Sequence, residues 1–90
     1  MTTKQDANFE SFLEDMYTLY LQKSQGYGPE SIAESGEEGI VIRMSDKLAR
    51  LKNLRKTGGP ENDERIEDTI MDLAVYCGLL VVYRSGNWGR

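Results

Sequence analysis

Phe9, Phe12, Leu13, Met16 and Tyr20 recur at steps of three and four, the spacing of one helical stripe. They predict a first helix from about Asp6 or Asn8, both good caps, to about Ser24. Gly26 and Gly28 are expected to end it, with Pro29 blocking any continuation. Residues 25–38 then read as a loop with room for a short fourth helical turn around Ser31 to Glu34. A second helix is expected from near Ser35, where Glu38 stands at capping-box spacing, to near Lys56. Val41, Met44, Leu48 and Leu51 make its apolar stripe, and Arg43, Lys47, Arg50 and Leu54 share the next face. A third helix opens with Pro60 in its first turn and runs to about Arg84. Its first half is acidic, and from residue 73 to residue 83 it is apolar on every side.

This pattern predicts a single all-α domain over residues 1–90, a small bundle of three main helices. A helix apolar all round is buried all round, and two neighbours in so short a chain can hardly cover it. Self-association through the segment bounded by Leu73 and Val82 is therefore expected. The same run is too short to span a membrane, which takes roughly 18 residues or more. Residues 1–8 are polar and predict no signal peptide. The single cysteine, Cys77, fits a reducing cytoplasm and reads as a small core residue.

Charge and composition narrow the chemistry. The net charge of −4 gives no global basic footprint, so direct nucleic-acid binding is not expected. The chain has no histidine, which removes histidine bases, zinc-finger sites and Ser–His or Cys–His pairs. Catalysis would have to run on carboxylates, lysine, arginine, tyrosine or a metal held by oxygen.

Glu64, Asp68 and Asp72 advance by about 40° per step and line one stripe of the third helix. Such a stripe is a solvated face in one reading. In the other it continues into Met71, Val75, Leu79 and Val82, so the acids edge a buried face and suit Mg²⁺ or Mn²⁺ in a cleft. Unpaired acids in a row repel one another, so Asp68→Asn or Asp72→Asn is expected to leave metal-free stability equal or higher. The basic face of helix two, with Asp46 among Arg43, Lys47 and Arg50, is either a surface with i,i+4 pairing or a source of phosphate-binding cations. Tyr27, between two glycines, either projects from a tight turn or packs back on the core.

Taken in order, Lys23…Tyr27-Gly28, then Arg43-x-x-Asp46-Lys47-x-x-Arg50-Leu51-x-x-Leu54, then Glu64-x-x-x-Asp68-Thr69-x-x-Asp72-Leu73-Ala74-x-Tyr76 resembles the small phage and bacterial nucleotide-modification-associated domains. Those domains are similar to the all-α MazG-like and dimeric dUTPase-like nucleotide pyrophosphohydrolases. The resemblance covers residues 9–83 and implies an oligomeric helical bundle with a Mg²⁺ cluster between helices. It implies a nucleoside triphosphate or related nucleotide as ligand. Glu64, Asp68 and Asp72 would be catalytic, holding metal or the attacking water, and Asp46 would approach the metal from helix two. Lys23, Arg43, Lys47 and Arg50 would face phosphates, and Tyr27 the base or sugar. Those enzymes usually carry Glu-Glu-x-x-Glu on one helix and Glu-x-x-Asp on the next. Here helix two has Asp46 as its one interior acid, and helix three has Asp-x-x-x-Asp spacing. The expectations are thus a Mg²⁺-dependent pyrophosphohydrolase, a non-catalytic nucleotide-binding oligomer, or a structural interaction protein.

Overall fold

A computed structural model describes residues 2–33, 35–57 and 64–86, without the side chains of residues 26–33. The described residues form three helices and no strand: α1 (Lys4–Ala33), α2 (Gly36–Lys56) and α3 (Glu64–Arg84). The protein is a small all-α structure.

Helix α1 begins earlier than its composition predicts. The Thr3 N–H donates to the Asp6 carboxylate at 3.0 Å, and the Asp6 N–H donates to the Thr3 hydroxyl oxygen at 3.0 Å. This reciprocal pair is a capping box, so Thr3 is the cap and Asp6 its partner one turn in. The helix also ends later. It runs through Gly26, Gly28 and Pro29 to Ala33, where a loop was expected from residue 25. A proline removes one N–H and crowds one carbonyl, which weakens a helix without forbidding it. At the entry to α2, Gly36 has φ +66°, a left-handed conformation open to glycine. Helix α2 spans the expected residues, but Ser35 makes no side-chain cap bond, so the predicted box with Glu38 does not form. Helix α3 ends at Arg84 as its sequence predicts; its expected opening at Pro60 lies outside the described residues, as does Trp88.

Helices α2 and α3 form an antiparallel hairpin. Arg84 at the end of α3 reaches Glu37 at the start of α2, with Nη1 2.8 Å from Oε1. Lys47 meets Asp72 near the middle of both helices. A Cβ on Gly36 would lie 3.4 Å from the Tyr83 hydroxyl. These three points fix the register and set Ile40 level with Leu79. Ile40, Met44, Lys47, Leu51 and Leu54 of α2 stand at alternating steps of four and three, and all are buried or half-buried. Thr69, Asp72, Tyr76, Leu79 and Tyr83 of α3 do the same. That 3.5-residue period is the seam of a coiled-coil-like pair. The packed stripe of α2 is therefore rotated from the expected one. Val41 and Leu48 lie exposed, while Leu54, placed among the basic residues by spacing, is buried.

The described core holds four buried apolar residues: Ile40, Leu54, Val75 and Leu79. Helix α1 touches both members of the hairpin more lightly than they touch each other. Four of its half-buried residues, Phe12, Met16, Leu19 and Lys23, again step by four, three and four. Residues 2–11 are exposed throughout. The 30 residues of α1 make a rod about 45 Å long, and laid beside the two 21-residue helices it would give a narrow bundle. The chain instead measures 40 × 37 × 21 Å, the shape of a plate.

Candidate functional site

The three helices meet at Asp72. At about 100° per residue, Asp72 stands within about 20° of Leu79 and midway between Thr69 and Val75. All three of those neighbours are buried, so the carboxylate lies in the packed face of α3. Its side chain keeps 19% exposure. A carboxylate in such a position needs cations or donors. Two lysines supply them. Lys23 Nζ from α1 lies 3.2 Å from Asp72 Oδ1, and Lys47 Nζ from α2 lies 3.1 Å from Oδ2. Both ammonium groups sit at seam positions, where their methylene stems can lie along the apolar surface with the heads near water. The trio carries a formal charge of +1 and remains partly open to solvent, with the lysine side chains 26% and 30% exposed.

Thus Lys23, Lys47 and Asp72 come together from three separate segments of sequence. The remaining candidates are arranged otherwise. Glu64 and Asp68 lie on the exposed flank of α3, two turns and one turn before Asp72 respectively. Arg43 and Asp46 line an open depression of about 460 Å³ on one flank of α2, with Ser35, Glu38, Gly39 and Ile42. Arg50 is exposed two turns beyond Arg43 on that flank. Tyr27 belongs to the backbone of α1, not to a glycine turn; its side chain lies outside the described residues. Cys77, expected in the core, is exposed, because it stands on the side of α3 turned from the Asp72 face.

The donor set bears directly on a divalent metal. Mg²⁺ takes oxygen ligands in a tight octahedron, usually one or two carboxylates with water and phosphate oxygens. Among the described residues no group of three acids is placed to hold one ion. Asp72, the best buried of the candidates, has each oxygen paired to an ammonium. The side chains as arranged make a lysine–carboxylate–lysine centre, not a carboxylate cage.

Spacing alone did not pair Lys23 with Asp72, which are 49 positions apart. The signal that could have found the centre is the seam itself: a lysine or an aspartate stands where the 4-3-4 pattern of each helix calls for an apolar residue. The Glu37–Arg84 pair was also missed, although an acid opening one helix and a base closing another is what the two helix dipoles favour. Compared with protein-family models, curated proteins and solved structures, the chain has no significant match.

Proposed function

We propose that the protein binds a nucleotide through its phosphates at the three-helix junction, as a small relative of the MazG-like and dimeric dUTPase-like pyrophosphohydrolases. The convergence of Lys23 and Lys47 on one partly solvated point carries this reading. Each ammonium has three donors and gives one to Asp72, which leaves donors for a phosphate. A charge-assisted contact of that kind contributes roughly 1.5–3 kcal/mol. Arg43 and Arg50, on the adjoining flank of α2, extend the cationic surface. Glu64, Asp68 and Asp46 are the acids that would join Asp72 around Mg²⁺ or Mn²⁺. Since Asp72 is engaged by lysines, binding leads over hydrolysis in this proposal, and no hydrolytic step is derived. A cytoplasmic setting would keep the exposed Cys77 as a thiol.

Calorimetric titration with a panel of nucleoside triphosphates, with and without Mg²⁺, tests it. Binding that weakens tenfold or more in Lys47→Ala and Lys23→Ala, but not in Lys52→Ala, is the expected result. No heat with any triphosphate or with inorganic tripolyphosphate would overturn it. Release of pyrophosphate in the same mixtures would restore the hydrolase.

A second reading is favoured by the seam positions of Lys47 and Asp72. Polar residues at single seam positions fix register and orientation in paired helices. The trio would then be a structural joint in an interaction protein, and nucleotides would leave it untouched.

A further inference from the structure

We infer that the outward face of α1 pairs with the same face of a second copy of the chain. This surface is separate from the nucleotide proposal and from residues 73–82. Phe9, Leu13, Tyr17 and Tyr20 stand at steps of four, four and three, so they share one face of α1. None of them is covered: Phe9 is 60% exposed and Tyr17 61%, and Leu13 and Tyr20 also lie open. The aromatic rings are already gathered. Phe9 touches Phe12 with centroids 5.4 Å apart, and Tyr17 stacks on Tyr20 at 6.0 Å. Aromatic side chains are what interface centres collect, since they bury much area with few rotatable bonds.

The area says what size of partner the chain lacks. A compact monomer of 10.2 kDa exposes about 5,300 Å². This chain exposes 7007 Å². The excess, about 1,700 Å², is twice the ~800 Å² per partner of a standard specific interface and reaches the obligate homodimer range. The radius of gyration agrees, at 14.7 Å against about 12 Å for a compact chain of this length. Among the described residues, 2–11, which hold the first two turns of α1, are exposed throughout.

A two-fold pairing uses one patch twice. With the axis at Leu13, antiparallel α1 helices bring each Leu13 against the other and set Phe9 of one chain across from Tyr17 of its mate. Glu10 and Glu14 flank the stripe on both copies, so salt that screens them should tighten the pair.

Light scattering on the full chain at tens of micromolar is expected to give twice 10.2 kDa. Leu13→Glu with Tyr17→Glu should weaken pairing at least a hundredfold, giving a monomer that keeps its helical circular dichroism. Val81→Glu should leave the pair intact. A second experiment covers the case in which the double variant does not fold: in a Cys77→Ser background, Leu13→Cys should oxidise to a covalent dimer, with the two thiols facing across the axis. A monomeric parent chain, a double variant that still pairs, or failure of the thiols to join would each overturn the inference. Because Lys23 and Lys47 are untouched in these variants, the result is independent of nucleotide binding.

Discussion

Asp72 shows how one side chain can reverse an expectation drawn from its neighbours in sequence. As one of a row of acids, it should gain from losing its charge. With lysines at 3.1 and 3.2 Å, it instead holds two ammonium groups together. Asp72→Asn should therefore lower stability by about 1–3 kcal/mol, below the 3–5 of a fully buried pair because all three groups keep some water. Asp68→Asn and Glu64→Gln, on the exposed flank, should stay within about 0.5 kcal/mol. Urea midpoints for the three variants check this; equal effects would mean the acids act as one stripe after all. Glycines at the α1–α2 turn are a second residue-scale constraint. Gly36→Ala places a side chain at φ +66° and should cost about 1–2 kcal/mol. At Gly39 a Cβ would collide with the Ser35 side chain, so Gly39→Ala should also lower the melting temperature.

Among the elements, the number of helices, the span of α2 and the end of α3 were legible because amphipathic period and end signals agree there. The rotation of α2 was not. Its apolar residues include both Val41 and Leu48, now exposed, and Ile40 and Leu54, now buried, and the two sets differ by one position. Only a tolerance for Lys47 in the seam reveals which set faces inward. The end of α1 was misread because glycine and proline lower helix propensity without deciding the outcome alone. Its start turned on the Thr3–Asp6 box. The Thr3 backbone N–H, and secondarily its hydroxyl, hold the Asp6 carboxyl below its ordinary value of 3.8. A carboxyl lowered by folding stabilises above its unfolded pKa, and the contribution disappears as pH falls through the folded one. Fraying of the first turn of α1 should thus set in on acidification below about pH 4, visible in the amide shifts of residues 4–8. Asp6→Asn should abolish that pH dependence. Of the candidate site, sequence order supplied Lys23, Lys47 and Asp72 as members but not their mutual pairing, which is a tertiary fact.

For the whole molecule the telling quantity is how little is buried. With four buried apolar residues among those described, each one matters. Ile40, which has no exposure, should cost about 2–5 kcal/mol on truncation to alanine. That is much of the stability of a small domain. If a second copy supplies the missing cover, the melting temperature should rise with protein concentration, since mass action favours the paired state. Scanning calorimetry over a hundredfold range of concentration tests this; an unchanged midpoint would mark a chain stable by itself.

The hairpin register also sets an order of events in time. Lys47 and Asp72 lie 25 positions apart, and the pair needs only α2, α3 and the short connection between them. Lys23 must come from almost twice as far along the chain, onto a surface that the hairpin presents once formed. Contacts close in sequence form first, and loop entropy delays the rest. The α2–α3 pair should accordingly be the nucleus, with α1 docking on the downhill side of the barrier. In stopped-flow experiments Lys47→Ala should slow folding, whereas Lys23→Ala should leave folding almost unchanged and speed unfolding. The ion trio would then act as a latch: half of it is set before the chain commits to fold, and the other half governs how long it stays folded.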